Sequence, residues 1–304
     1  MKKETLGTLL AAIAAFVSGI AIPANKIFIV NIEPLVFTAV RSVIIGTVFL
    51  LLSWWLFKSK AKKRQRFISV SWKYLAAIAV IGGSAAFFLY FTGLKLTTAG
   101  HAAFLHKTLP LYTALLAFFF LRERITKKYL AATSLMFAGT VAIYFSSIVP
   151  SELWLNPQLG DMLVILATLL WAAENVIAKK AMVKGETNFI VSFARMFFGG
   201  LILFGAALLM NKTDTLLALT NAQILNIGMS TLLLFSYVLF YYCSLKLINV
   251  SKAAVLLLLA PVVSLAIGAA FLGEPTPPVQ LAGSAVILIG AYLAAGIKSE
   301  QRGI

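Results

Sequence analysis

Ten long apolar segments occupy most of the 304 residues of this chain. A helix that crosses the hydrocarbon core of a bilayer needs about 20 apolar residues, and each segment is close to that length. Backbone polar groups in lipid must be hydrogen-bonded internally, and these runs are too long and too uniform for barrel strands. The sequence therefore predicts an all-α integral membrane protein with ten transmembrane helices. We expect the helices at about residues 5–29, 33–57, 73–94, 98–121, 128–149, 159–181, 188–210, 222–245, 250–272 and 279–297.

The composition agrees with a bilayer environment, since 61% of the residues are apolar and only 12% are charged. A net charge of +16 would suggest nucleic-acid binding in a soluble chain, but here the basic residues lie in short clusters between apolar runs. We therefore predict no nucleic-acid partner. The single cysteine, Cys243, lies inside an apolar run and is expected to be a core residue. The first apolar run reaches about Val30, too long for a signal peptide, so we expect an uncleaved first helix.

Lysine and arginine are distributed unequally between the two sets of connections. Most of the 26 basic residues lie in the even-numbered connections and near the two ends of the chain, whereas the opposite side carries only Lys26, Lys95 and Lys212. Because basic loops remain on the cytoplasmic side, we predict a multi-pass protein of the plasma membrane with both termini cytoplasmic. The main clusters are Lys58, Lys60, Lys62, Lys63, Arg64, Arg66 and Lys73; Arg122, Arg124, Lys127 and Lys128; Lys179, Lys180 and Lys184; and, at the end of the chain, Lys298 and Arg302.

The two halves of the chain are related by an internal repeat. At a constant offset of about 151 residues, the second half repeats the lysine, proline, glutamate and glycine positions of the first. We therefore predict two units, residues 1–149 and 150–304, each with five helices. An odd number of helices inverts the second unit in the membrane, an arrangement typical of alternating-access transporters with a site near the midplane. The matched pairs are Lys95 and Lys246, Pro110 and Pro261, Glu123 and Glu274, Gly139 and Gly290 and, at an offset of 154, Arg41 and Arg195.

These motifs resemble those of a known family. Pro110 followed by an apolar run to Phe120-Leu121-Arg122-Glu123 returns as Pro261 to Phe271-Leu272-Gly273-Glu274, with Trp171 in the sixth helix. The pattern resembles the EamA-type branch of the drug/metabolite transporter superfamily. The resemblance implies a transporter of amino acids, other metabolites or other small solutes, and export is the commoner assignment. The chain departs from the usual pattern at Ser18-Gly19, where a Trp-Gly pair is common, and at Arg122, where the second half has Gly273.

Two ionisable residues within the predicted helices are the main site candidates. A charged side chain at the centre of a span costs about 3 kcal/mol, so it tends to face a cavity or a partner. Lys107, beside His106, precedes Pro110 in the fourth helix, and its ammonium would suit a substrate carboxylate or phosphate. Glu174, one turn after Trp171 in the sixth helix, could bind a cation or exchange a proton. An ion pair of Glu174 with Lys107 or with an arginine is the structural alternative.

The other candidates have stronger structural alternatives. Histidines titrate near neutral pH and can relay protons, but His101 and His106 are also ordinary hydrogen-bonded core residues. Arg41 and Arg195 can hold helix ends as readily as an anion. Tyr90 and Tyr241 occupy matching positions and could line a pathway. A proline removes a backbone donor and can bend a helix, so Pro110 and Pro261 are predicted hinges.

The sequence therefore predicts a secondary-active transporter, an exporter by resemblance, of a small polar metabolite such as an amino acid. Protons are a candidate coupling ion. One alternative is cation or multidrug efflux by proton antiport through Glu174. Another is an intramembrane enzyme, which is disfavoured because the chain has no HExxH pair, no two-aspartate constellation and no Walker loop. We expect no cofactor and no metal, and either a monomer or a homodimer is compatible with the sequence.

Overall fold

The computed structural model describes residues 2–29, 32–58, 71–146, 157–216 and 219–299. Within these ranges, ten helices are long and apolar enough to cross a membrane, which confirms the predicted fold class. Five residues of the basic cluster between the second and third helices lie outside the described residues, as does Arg302. The five are Lys60, Lys62, Lys63, Arg64 and Arg66.

The helix boundaries agree with the sequence to within a few residues, apart from the fifth helix, which ends at Phe145 instead of near residue 149. Residues 147–150 lie outside the described ranges. The uninterrupted helices are α1 (Lys3–Phe28), α2 (Pro34–Lys58), α5 (Lys127–Phe145), α6 (Leu159–Val183), α8 (Asn221–Leu247) and α10 (Pro278–Ala295). The interrupted helices are α3 (Trp72–Val80, Ile81–Ala85 and Ala86–Leu94), α4 (Ala99–His106 and Leu109–Phe120), α7 (Asn188–Phe193, Ala194–Phe198 and Gly199–Leu209) and α9 (Val250–Leu256, Leu257–Leu259 and Ala260–Leu272).

Helices α4 and α9 are interrupted at matching places. In each, a proline occupies the first turn of the last segment, Pro110 in α4 and Pro261 in α9. Proline is tolerated there because the backbone N–H that it lacks would have no helical partner. The interruption leaves Lys107 between the two segments of α4, with its N–H bonded to the carbonyl of Phe104 at 2.8 Å. In α4 the α-helix is interrupted by a turn at residues 107–108, and in α9 it is interrupted by the 3₁₀ turn Leu257–Leu259.

Helices α3 and α7 each contain a π-helical turn, Ile81–Ala85 and Ala194–Phe198. The two turns meet where Gly83 packs on Gly199. A Cβ added to Gly199 would lie 2.5 Å from the backbone of Gly83, so this approach requires glycine. Such π turns occur frequently at functional sites, and here they bring α3 of the first half against α7 of the second.

The two halves interlock through their helices. α1 packs along α8, α5 packs along α10, and α2 packs along α7. α6 of the second half lies against α3 and α4 of the first. The two halves therefore share one core, and any space at its centre is enclosed by helices from both.

One end of the bundle, here called the Glu123 end, is closed by polar contacts between the halves. The buried Glu123 carboxylate accepts hydrogen bonds from the N–H of Val250 at 2.8 Å and of Ser251 at 3.2 Å, and from the Ser251 hydroxyl at 2.5 Å. Burial raises the pKa of the Glu123 carboxyl above its ordinary value, and these hydrogen bonds oppose that shift. Glu123 thus caps the beginning of α9.

A buried lysine adds a second connection at the Glu123 end. Lys252, at the beginning of α9, donates to Glu4 of α1 at 2.7 Å and to the carbonyls of Ala295 and Ile297 at 3.2 and 2.6 Å. Its ammonium therefore ties α9 both to α1 and to the end of α10. The carboxylate of Glu4 also accepts a hydrogen bond from Ser299 at 2.9 Å.

The opposite end, called the Glu33 end, has a related but weaker pair. His101, which matches Lys252 under the repeat, lies in the first turn of α4 with its Nδ1 3.5 Å from the Asp161 carboxylate of α6. Each residue thus approaches a carboxylate on the first helix of the other half. At the same end, Lys95 pairs with Glu33 at 3.0 Å on the surface.

The turns after α4 and α9 have the same backbone although their sequences differ. Arg122 has φ +55° and Gly273 has φ +65°. Glycine adopts this left-handed conformation without strain, whereas a residue with a side chain does not. Arg122 therefore departs from the repeat in residue type, but the turn keeps the same left-handed conformation.

We predict that Arg122→Gly raises the free energy of unfolding by about 1 kcal/mol, because it removes this backbone strain. Gly273→Ala should lower it by a similar amount. Thermal unfolding in detergent measures both, with Gly205→Ala as the control, since a Cβ at Gly205 meets nothing within 4 Å. A midpoint that is unchanged or lower for Arg122→Gly would contradict the assigned strain.

Candidate functional site

A cavity of about 280 Å³ lies between the two halves of the bundle. Helices α1 to α4 supply its wall from the first half, and α6, α7 and α8 supply it from the second. The wall residues lie at the middle of the bundle and toward the Glu33 end, as in Asn25 near the end of α1 and Arg41 near the beginning of α2. The polar and aromatic members of the wall are Ser18, Asn25, Arg41, Phe87, Tyr90, His106, Lys107, Trp171, Asn175, Arg195 and Tyr237.

Lys107 lies in this wall, at the interruption of α4. Its side chain is nearly buried, with 8% of the residue exposed. In the part of the chain that the structure describes, no carboxylate lies within 4 Å of its ammonium. A smaller pouch of about 30 Å³ adjoins it between Pro110 and Leu258. Lys107 and Glu174 therefore do not form an ion pair.

An aromatic cluster forms the wall next to Lys107. The ring of His106 lies 5.0 Å from that of Trp171 and 5.7 Å from that of Tyr90, and the Tyr90 and Trp171 rings are 5.3 Å apart. The Trp171 indole N–H donates to the carbonyl of Gly82 in the π turn of α3 at 3.1 Å. This hydrogen bond fixes the indole in the wall.

Glu174 is fully buried behind the wall and does not line the cavity. One oxygen accepts a hydrogen bond from the Tyr242 hydroxyl at 2.5 Å, and the other lies 3.6 Å from Nε of Arg195. Glu174 also packs on Gly82, where an added Cβ would lie 2.1 Å from its Cγ. The negative charge of Glu174 is thus balanced by Arg195, whose guanidinium also reaches the cavity wall.

Arg41 connects three helices at the edge of the cavity. Its guanidinium donates to the Ser230 hydroxyl of α8 at 2.5 Å and to the carbonyl of Phe37 at 3.2 Å, and it lies 4.0 Å above the Phe37 ring. Ser230 in turn donates to Asn25 of α1 at 2.5 Å. Because its donors already have partners, Arg41 joins α1, α2 and α8.

Besides Glu174, two sequence candidates lie away from the wall. His101 is buried beside Asp161 at the Glu33 end. Tyr241 is buried, and its ring stacks on that of Tyr237 with centroids 5.6 Å apart. Tyr237, one turn earlier in α8, lines the cavity instead.

Sequence reasoning missed the roles of Tyr237 and Tyr242 because it chose among the tyrosines of α8 by their match in the repeat. The signal that could have found Tyr237 is the helical period, since a residue four positions before Tyr241 lies on the same face of α8.

Pro110 borders the small pouch, and Pro261 occupies the matching place in α9. Their role as hinges stays a prediction. Among the described residues, no group of three or more His, Cys, Asp or Glu side chains could hold a metal ion.

The sequence and fold identify the family. The model of the EamA-like transporter family matches residues 5–145 and 158–296. The chain belongs to the EamA-like transporter family. The two matched ranges coincide with the two five-helix repeats, which agrees with the resemblance found in the sequence.

Several relatives of this EamA-like protein are named as transporters. One is "Uncharacterized transporter YyaM" of Bacillus subtilis (strain 168), 28% identical, with 80% of this chain and 78% of the relative covered. Another is "Probable amino-acid metabolite efflux pump" of Salmonella typhimurium, 27% identical, with 64% and 67% covered. A solved structure, 18% identical, matches 95% of this chain and 98% of its own with a TM-score of 0.75, and this likeness shows the fold alone.

We predict that Glu174→Gln lowers the free energy of unfolding by about 3 kcal/mol, because it leaves the Arg195 guanidinium buried without its carboxylate. Arg195→Met should have a similar effect, and the double variant should lose less than the sum of the two. Thermal unfolding in detergent measures the three losses.

Glu33→Gln is the control for this prediction, since it breaks the exposed pair with Lys95 and should cost at most about 1 kcal/mol. Strictly additive losses for Glu174→Gln and Arg195→Met would mean that the two side chains are not coupled.

Proposed function

We propose that this EamA-like protein is a secondary-active exporter of a small polar metabolite such as an amino acid. The observation that supports this most is the cavity of about 280 Å³, whose wall contains residues of both repeats and whose Glu123 end is closed by contacts between the repeats. A site shared by two inverted halves can be exposed to either side when the halves rock against each other.

The five-helix units, residues 1–149 and 150–304, are the moving parts in this proposal. Opening the Glu123 end requires the contacts of Glu123 with α9 and of Lys252 with Glu4 to separate. At the Glu33 end α4 and α6 already meet at His101 and Asp161, so closing this end brings together the other helices that line the cavity. The interruptions at Pro110 and Pro261 supply the places where α4 and α9 bend.

The proposed substrate class rests on the wall and on one relative. The wall combines the Lys107 ammonium, the amides of Asn25 and Asn175, and an aromatic cluster, which together suit a small polar solute with an apolar part. The relative from Salmonella typhimurium is named as an amino-acid metabolite efflux pump. In this proposal both termini and the Glu123 end lie on the cytoplasmic side of the plasma membrane, an orientation inferred from the basic loops.

Cation efflux by proton antiport through Glu174 is the weaker alternative. Glu174 is separated from the cavity and already paired with Arg195, so a cationic substrate would have to displace a guanidinium to reach it. Protons remain the proposed coupling ion for export.

We expect saturable counterflow in proteoliposomes containing the purified protein, for at least one member of a panel of labelled amino acids, organic acids, sugars and organic cations. Ala103→Trp should abolish this flux, because Ala103 lines the cavity and the indole fills it. Gly205→Trp is the matched control, since its side chain meets open space. Flux of no solute, or flux that survives Ala103→Trp, would contradict the proposed pathway.

A further inference from the structure

The described wall of the cavity carries three basic side chains and no acidic one. The basic residues are Arg41, Lys107 and Arg195. Arg41 donates to neutral groups on α2 and α8, and Arg195 is paired with Glu174. Their charges are therefore already committed to structural contacts, and the net charge at the cavity surface is positive.

Lys107 is different because its ammonium has no partner among the described residues while less than a tenth of the residue is exposed. An uncompensated charge at this depth is costly, so such a cation is retained where an anion binds it. The matching position of the second half is Leu258, so the repeat fold itself does not need a charge here. The lysine therefore points to a ligand.

The interruption of α4 adds a second favourable element. Leu109–Phe120 is a helix of 12 residues that begins two residues after Lys107, and the N-terminus of a helix carries partial positive charge. The pouch between Lys107, Pro110 and Leu258 opens beside it. An ammonium and a helix N-terminus thus face the same space.

We propose that Lys107 and the beginning of the Leu109–Phe120 helix form an anion subsite, which binds the carboxylate or phosphate of the transported solute. This assignment rests on the proposed function and narrows its substrate class to organic anions of about amino-acid size. The described wall offers no carboxylate to an amino group, so the ligand's anionic group is required and its amino group is dispensable. The apolar part of the ligand packs on the rings of His106, Trp171 and Tyr90.

A matched set of ligands tests this subsite in the purified full-length protein. Phenylalanine carries both charges, 3-phenylpropionate lacks the amino group, phenethylamine lacks the carboxylate, and phenyl phosphate replaces the carboxylate with phosphate. A ligand that binds the folded state raises the thermal unfolding midpoint. We expect 3-phenylpropionate or phenyl phosphate to raise the midpoint, and phenethylamine to leave it unchanged. The larger of the two anion effects identifies the preferred group.

Variants of Lys107 connect the effect to this residue. Lys107→Met should weaken the apparent affinity for the anions at least tenfold, since it removes the charge and keeps the length of the side chain. Lys107→Arg should retain binding within a few-fold because it keeps the charge, and a cooperative unfolding transition of Lys107→Met without ligand shows that this variant is folded. Lys95→Met, on the surface beside Glu33, is the control that should match wild type.

The assignment is wrong if no anion shifts the wild-type midpoint, if the shift survives in Lys107→Met, or if phenethylamine stabilises the protein as well as 3-phenylpropionate does. Counterflow of the same four compounds separates this inference from the proposed function. Flux of the amine that is unaffected by Lys107→Met would overturn the anion subsite and leave a transporter. Anion binding without flux of any compound would overturn transport and leave the subsite.

Discussion

A charge inside an apolar bundle has to be paired or hydrogen-bonded within the protein or bound by a ligand, and the three cations in the described cavity wall follow that constraint. Arg195 is neutralised by Glu174, which Tyr242 also binds. Arg41 is held by neutral acceptors on α2 and α8. Lys107 has no such partner among the described residues. The contacts of Arg195 join α6, α7 and α8 within the second half, and those of Arg41 join α2 to α8 across the two halves. Lys107 leaves the cavity wall with a positive charge that a solute can satisfy.

The two halves are more similar in backbone conformation than in the side chains at matching positions. Both interrupt a helix just before a proline and end it in a left-handed turn, with arginine at 122 and glycine at 273. At matching depths, however, Lys107 corresponds to Leu258 and His101 to Lys252. Inverted repeats need similar shapes to exchange conformations, whereas the binding chemistry is needed only once. The polar contacts between the halves also differ at the two ends: Glu123 and Lys252 bind α9 and its neighbours at one end, whereas Asp161 accepts from Thr97 and lies near His101 at the other.

The sequence predicted the ten helices and the repeat, because apolar length and periodicity act locally along the chain. It also predicted a bend at Pro110, and α4 is interrupted just before that residue, at Lys107. The sequence offered an arginine as one partner of Glu174, but it could not specify Arg195 or add Tyr242. Both are far from Glu174 in sequence and meet it only through the packing of α6 with α7 and α8. The capping of α9 by Glu123 could not be predicted for the same reason. Glu123 lies just after the end of α4 and binds the beginning of α9, 127 residues away.

Alternation between the two ends is the central claim, and it is measured most directly by electron–electron distances in a variant without Cys243. One spin-label pair, at Lys127 and Lys246, spans the Glu123 end, and another, at Leu96 and Asn221, spans the Glu33 end. All four residues are exposed. With a transported solute present, the account predicts a second population in which the Glu123-end distance is longer and the Glu33-end distance is shorter. If the protein carries out counterflow and each pair shows the same single distance with and without the solute, the account is contradicted.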